Sequence, residues 1–119
     1  MDGLELALAC REYAYNKKAE EIVVLDVREV SSITDYFVIA SGTSVPHVRG
    51  IWNEIVDGLK QDHQLTPPPP EGAQYNTWVV IDYFDVIVHV MSCETREKYD
   101  LEGLWNDAEV IEPEVTSGS

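Results

Sequence analysis

Residues 31–44 read SSITDYFVIASGTS, one apolar run held between two clusters of small polar residues. The run, residues 36–40, is short and rich in β-branched and aromatic side chains, so it predicts a buried strand. Gly42-Thr43-Ser44 then follows, and these residue types either cap a helix or cradle a phosphate. Which of the two roles applies largely decides whether the chain is read as an enzyme.

The sequence after this turn favours capping. Neither G-x-x-x-x-G-K-[ST] nor G-x-G-x-x-G is present, and no lysine follows the turn. Residues 44–64 predict an amphipathic helix, with Ser44 as its N-cap and Pro46 tolerated in its first turn. Its apolar stripe comprises Val48, Ile51, Trp52, Ile55, Val56 and Leu59.

The remaining hydrophobic patterns predict two more helices and three more strands. The predicted order is helix, strand, strand, helix, strand, strand, helix, which indicates one mixed α/β domain over residues 1–111, with helices packed on a mixed sheet. The four prolines at 67–70 form a stiff segment that serves as a connector or, less favoured, as a ligand for an aromatic groove. The polar tail, residues 112–119, is expected to be disordered. The predicted helices cover residues 4–18, 44–64 and 95–106, and the strands cover 21–27, 36–40, 78–82 and 86–91, the last of them central.

The charge of the chain restricts its partners. Twenty-two acidic residues against eight basic ones give a net charge of −14. Such a surface repels nucleic-acid backbones and anionic membranes, and it attracts basic proteins or cationic ligands. Two isolated cysteines make no disulfide framework, and no apolar stretch approaches the roughly 18 residues that a bilayer requires. We therefore expect a cytoplasmic protein.

Three constellations of reactive side chains are weak as catalytic sites. Asp82 and Asp85 flank a predicted hairpin and could hold Mg²⁺ as a remnant nucleotidyltransferase site, but aspartate is common in turns anyway. His89 and Cys93 would lie about 13 Å apart on a continuous strand, too far for a nucleophile and its base. His89 is therefore expected to be a hydrogen-bonded core residue. His47 and His63 have no metal ligands at zinc spacing, and we expect no cofactor.

Aromatic residues gather where the third and fourth strands meet. Trp78, Tyr83 and Phe84 lie beside Asp82 and Asp85, although hairpin tips are normally polar. An apolar tip either folds back onto the core or is kept for a partner. The residues alone leave both options open, and an aromatic anchor ringed by carboxylates would suit a basic protein surface.

Four blocks of the sequence resemble the ribosomal silencing factor, or Iojap-related, family. They are Leu25-Asp26-Val27, SSITDYFVIASGTSVPHV at 31–48, DVIVHV at 85–90 and YDLEGLW at 99–105, and the likeness spans about residues 4–106. The resemblance implies a protein that is not an enzyme and has a nucleotidyltransferase-like core without the catalytic carboxylates. It implies binding to ribosomal protein L-fourteen of the large subunit, which blocks joining of the small subunit and lowers translation when nutrients are scarce. Members often behave as homodimers.

The resemblance also implies which residues contact the partner. Trp78 matches the family's tryptophan before the third strand, and Asp82-Tyr83 match its acidic-apolar hairpin entry. The family commonly has glycine where this chain has Phe84, which either enlarges the binding patch or changes the hairpin geometry. Glu94 and Tyr99, just after the fourth strand, are expected to extend the patch.

Overall fold

The computed structural model describes residues 1–100, 103 and 107–111 of the chain. In this described part, three helices and one mixed five-stranded sheet follow one another along the sequence, which confirms the predicted mixed α/β class and the predicted order up to the third helix. The helices are α1 (Gly3–Asn16), α2 (Val45–His63) and α3 (Cys93–Tyr99), and the strands are β1 (Glu20–Asp26), β2 (Tyr36–Gly42), β3 (Trp78–Asp82), β4 (Val86–Ser92) and β5 (Glu109–Val110).

The two longer helices begin at polar caps and cover one face of the sheet. The Asp2 side chain accepts a hydrogen bond from the backbone N–H of Glu5, and Ser44 accepts one from that of His47. These bonds satisfy N–H groups that a helix cannot satisfy within itself. The apolar stripes of both helices enter one core with the facing strand residues, and their fully buried members include Ala7, Cys10, Ala14, Val48, Ile51, Ile55 and Leu59.

The sheet order is β3-β4-β2-β1-β5, with β2 and β4 parallel and every other pair antiparallel. All seven residues of β2 are buried, because the strand lies in the middle of the sheet. β4 lies inside the sheet between β3 and β2, as its continuous apolar pattern predicts. Strands β1 and β3 end, and β2 and β4 begin, at the same end of the sheet.

The third helix and the fifth strand differ from the sequence prediction. α3 begins at Cys93, two residues before the predicted start, because Ser92 caps it through the backbone N–H of Thr95. β5 has only two residues, which is too short for any periodicity to indicate, and it pairs with the end of β1. Residues 101, 102 and 104–106 of the third predicted helix, and the tail at 112–119, lie outside the described residues.

The proline-rich segment connects α2 to the edge strand β3. α2 is followed by its C-cap residue Gln64, whose φ of 55° places it in the left-handed region. After the prolines, Glu71 exchanges two backbone hydrogen bonds with Val80 of β3, at 2.9 and 3.0 Å. This bridge satisfies part of an edge that would otherwise be open to pairing with another strand. Among the described residues, no helix combines the length and the apolar character needed to cross a bilayer.

Candidate protein-docking surface

The turn before α2 is occupied by the chain's own side chains. The N–H of Thr43 donates to His47 Nδ1 at 2.9 Å, and His47 Nε2 lies 2.8 Å from the carbonyl oxygen of Lys17. A Cβ at Gly42 would come within 2.8 Å of the Val48 side chain, so the helix start packs directly on this glycine. The N–H groups of Thr43 and His47 are therefore engaged internally, and the prediction of a helix cap at Ser44 is confirmed.

Asp82 has a structural role at the hairpin between β3 and β4. Its Oδ1 accepts a hydrogen bond from the backbone N–H of Phe84 at 2.8 Å, which closes the turn. Asp85 is exposed on the other side of the same turn. Across the described part of the chain, no group of three or more His, Cys, Asp or Glu side chains converges on one point that could hold a metal ion.

His89 is a core residue, as the sequence predicts. Its side chain is 9 % exposed, and its Nδ1 accepts a hydrogen bond from the indole Nε1 of Trp78 at 3.0 Å. Burial lowers the pKa of His89 to about 4, so the ring is neutral near pH 7 and can accept this bond. Cys93, at the start of α3, has a thiol whose pKa is raised, chiefly by burial and then by Glu20 and Glu21, which makes it a poorer nucleophile.

One face of the sheet, opposite α1 and α2, carries the aromatic residues that the sequence singles out. Alternation along β3 places Trp78, Val80 and Asp82 on this face, whereas Val79 and Ile81 enter the core beneath the helices. On β4, Ile87 lies across from Asp82 and is half-buried like Val80. With Tyr99 these residues form what we call the docking face, which comprises Trp78, Val80, Asp82, Ile87 and Tyr99.

Tyr99 reaches this face because α3 is anchored to the sheet. Arg96, which is 5 % exposed, donates from its guanidinium to the Ser41 hydroxyl at 3.0 Å. This bond fixes α3 over the end of β2 and leaves the Tyr99 ring 5.1 Å from the Trp78 ring, tilted by 48°. That spacing is typical of a favourable aromatic pair. Glu94 lies in the first turn of α3 and is exposed.

The hairpin turn separates Tyr83 from Phe84. Tyr83 is half-buried against the core beneath α1 and α2, and its burial raises the pKa of the hydroxyl group. Phe84 is 83 % exposed and has a φ of 73°. The N–H of Asp85 bonds to the carbonyl of Tyr83 at 2.9 Å, which is the hydrogen-bond pattern of a strained γ-turn centred on Phe84. The sequence left open whether the aromatic tip packs on the core or is exposed for a partner. Tyr83 packs on the core, and Phe84 is exposed to solvent.

The six candidate residues thus fall into three groups. Trp78 and Tyr99 are in contact, with Glu94 on the same short helix, while Asp82 and Phe84 share a hydrogen bond at the other end of β3. Four residue steps along a strand separate the two ends by about 13 Å. Tyr83 faces the opposite side of the sheet.

Sequence reasoning missed three apolar residues on or beside this surface. Val80 and Ile87 are indicated by strand alternation once Trp78 and Asp82 are placed on one face. Ile33, in the loop between β1 and β2, is 75 % exposed, and its neighbour Thr34 donates a hydrogen bond to the carbonyl of Phe84 at 2.9 Å. The hydrogen bond between Thr34 and Phe84 joins residues fifty positions apart, and the sequence carries no local signal for it.

The fold and the site define a small mixed α/β domain whose aromatic side chains lie on a sheet face beside carboxylates, an arrangement typical of a protein-interaction domain. A family model described as "Ribosomal silencing factor during starvation" matches residues 2–118. The chain belongs to this family, which confirms the resemblance inferred from the sequence blocks.

Individual relatives agree with the family assignment. The chain is 38 % identical to ribosomal silencing factor RsfS of Halalkalibacterium halodurans over 96 % of this chain and 97 % of that protein. It is 36 % identical to the mouse protein named mitochondrial assembly of ribosomal large subunit protein 1, over 75 % of this chain and 40 % of that protein. A crystal structure of a Chromobacterium violaceum protein superposes with a TM-score of 0.85 at 29 % identity, covering 99 % of this chain and 95 % of that one.

Proposed function

We propose that this chain is a translational repressor that binds the large ribosomal subunit through ribosomal protein L-fourteen and sterically blocks association with the small subunit. The observation that carries the proposal is the docking face, where an aromatic pair and nearby carboxylates lie on a chain of net charge −14. Family membership and the names of the relatives support a ribosomal partner.

Charge supports a polypeptide partner within the ribosome. A strongly acidic protein is repelled by rRNA, so favourable approach requires a basic protein patch. Aromatic side chains bury large areas with few rotatable bonds, which makes Trp78 and Tyr99 suitable central anchors. Asp82 and Glu94 then contribute charge at the border of the contact, and Phe84 contributes an apolar side chain. Tyr83 supports the turn from beneath and contributes through the position of Phe84.

Steric blocking requires no bond to be made or broken. The factor need only occupy ribosomal surface that the small subunit must approach, and repulsion between its carboxylates and nearby rRNA would confine it to the protein patch. A cytoplasmic location and a homodimeric state of the free factor are further parts of this proposal.

Truncation of the central anchor tests the site. Trp78→Ala should weaken binding to isolated large subunits by more than about fivefold, since hot-spot truncations cost more than about 1 kcal/mol. Equilibrium binding of the full chain to large subunits, to small subunits and to purified L-fourteen measures this. Tyr15→Ala is the matched control, because Tyr15 is 70 % exposed but lies on α1, on the other side of the sheet.

Folding must be separated from binding in this test, because Trp78 also donates to His89. Trp78→Phe keeps a smaller aromatic ring and loses the N–H donor, so it should retain more affinity than Trp78→Ala at comparable thermal stability. A folded Trp78→Ala chain that binds large subunits as tightly as the parent would contradict the proposed site.

A further inference from the structure

Two exposed apolar side chains lie at one end of the sheet, on loops that are tied together. Ile33 is 75 % exposed in the β1–β2 loop, and Phe84 is 83 % exposed in the β3–β4 turn. The Thr34 hydroxyl donates to the Phe84 carbonyl at 2.9 Å, and the N–H groups of Asp35 and Tyr36 both reach the Asp85 carbonyl, at 3.1 and 3.0 Å. The two loops therefore form one rigid unit, although they are distant in sequence.

Three exposed carboxylates belong to the same end of the sheet. Asp35 and Asp85 lie in the two loops, and Asp82 is the last residue of β3. We call this unit the sheet tip, and it comprises Ile33, Phe84, Asp35, Asp82 and Asp85. Apolar side chains bordered by charges of one sign are the pattern of a contact with an apolar centre and a charged rim.

The backbone holds the Phe84 ring outward at an energetic cost. Its φ of 73° lies in the left-handed region, where glycine is relaxed and an aromatic residue is strained. The turn bonds of Asp82 and Thr34 are made to the Phe84 backbone, so they do not require an aromatic side chain. The exposed ring therefore adds nothing to the closure of the turn. We take the presence of an aromatic side chain at this strained position to reflect a contact that the ring makes with a partner.

We infer that the sheet tip is a second anchor of the docking surface, which inserts Phe84 and Ile33 into an apolar recess of a basic polypeptide. The inference rests on the proposed function, because the polypeptide is the same ribosomal protein that the docking face contacts. Asp35 and Asp85 lie where lysine or arginine side chains at the border of the recess would pair with them.

The charge of the tip argues against its other occupants. Two copies of the chain meeting tip to tip would bring six carboxylates together, and a nucleic-acid backbone would meet three. A cationic polypeptide is the partner whose charge is complementary to all three side chains. The docking face and the sheet tip share the edge strand β3. Asp82, the last residue of β3, belongs to both surfaces and bonds to the Phe84 N–H.

The test compares two tip variants with a matched surface variant. Phe84→Gly removes the ring and relaxes the turn, and Ile33→Ser removes the second apolar side chain. We expect the affinity of the full chain for isolated large subunits to fall at least tenfold for Phe84→Gly and at least threefold for Ile33→Ser. Tyr15→Ser, which changes an aromatic residue on α1 that is 70 % exposed, should leave the affinity unchanged. The same variants are assayed against purified L-fourteen.

The outcomes separate this inference from the proposed function. If the parent chain binds large subunits and both tip variants bind equally well, the second anchor is wrong and the docking face stands. If the parent chain binds neither large subunits nor L-fourteen, the proposed function itself fails. Sedimentation of the free chains is measured in parallel, and a dimer that Phe84→Gly converts to a monomer would assign the tip to self-association and overturn the inference.

Discussion

Phe84 shows at the scale of one residue how a local strain accompanies an exposed side chain. The residue occupies a position with φ of 73°, and its ring makes no contribution to the buried core. Among residues of this kind, strain of about 1–3 kcal/mol persists only where the surrounding structure enforces it. Here the enforcing contacts are two hydrogen bonds of the Phe84 backbone, whose carbonyl accepts from the Thr34 hydroxyl and whose N–H donates to the Asp82 carboxylate.

The strain at this turn predicts a stabilising substitution. Phe84→Gly should raise the free energy of unfolding by roughly 1 kcal/mol, because glycine adopts a positive φ without strain. Glycine also raises the entropy of the unfolded chain, but we expect the relief of strain to be the larger effect. Urea unfolding followed by circular dichroism measures the change. Phe84→Ala is the control, since it removes the ring and keeps the Cβ, and it should not stabilise the fold. Destabilisation by glycine would show that the turn is unstrained.

His89 predicts a pH dependence of stability. Its folded pKa of about 4 lies below its usual value of 6.5, because burial disfavours the imidazolium. Between these two pH values the unfolded chain binds a proton at His89 that the folded chain does not. The contribution of the neutral His89 to the free energy of unfolding is therefore complete above pH 6.5 and is lost as the pH falls toward 4. The free energy of unfolding should change with pH by at most about 1.4 kcal/mol per pH unit through this one group.

A variant isolates this contribution from that of the other titrating groups. Urea midpoints at pH 7, 6 and 5 should fall more steeply for the parent chain than for His89→Gln, whose amide oxygen can still accept from Trp78. His47, His63 and the carboxylates are common to both chains, so they cancel in the comparison. Parallel curves over this pH range would show that His89 is not buried in its neutral form.

At the scale of elements, α2 is the part of the fold that the sequence predicts best. Its apolar stripe, its Ser44 cap and its end near residue 64 all agree with the structure, because each is a local signal. Burial of β2 follows in the same way from the continuous apolar run at residues 36–40. β5 could not be predicted, since a two-residue strand exists only through its pairing with β1.

The candidate surface was predictable only in part. Trp78 and Asp82 follow from strand alternation and from the family resemblance, but the sequence groups Tyr83 with them because it is adjacent in the chain. The structure places Tyr83 on the other side of the sheet, and it adds Ile33 through a hydrogen bond between distant loops. Tertiary contacts of this kind produce no periodic pattern in the sequence from which they could be predicted.

The cap of α2 gives a prediction for an element. Ser44→Ala should lower the free energy of unfolding by about 1 kcal/mol, because it removes the acceptor for the His47 N–H and leaves a helix donor without its partner. Urea denaturation measures the loss. Ser32→Ala, at an exposed serine of the β1–β2 loop, is the control and should change stability by no more than a few tenths. Equal effects would mean that the cap contributes little.

At the scale of the whole molecule, the net charge of −14 makes a prediction about association kinetics. A chain of this charge attracts basic polypeptides and repels polyanions such as rRNA. We expect the association rate with large subunits to fall about tenfold between 50 and 300 mM salt, with a smaller change in the dissociation rate. Stopped-flow or surface-based kinetics would measure both rates, and an association rate that does not respond to salt would contradict electrostatic steering.

The central claim is that the bound factor works by occupying the interface between the subunits. Light scattering of subunit joining tests this most directly, with large subunits incubated with saturating chain before small subunits are added. The account predicts that joining is suppressed, that Trp78→Ala restores it, and that the chain sediments with free large subunits. Complete joining, with the chain still bound to the joined ribosomes, would contradict it.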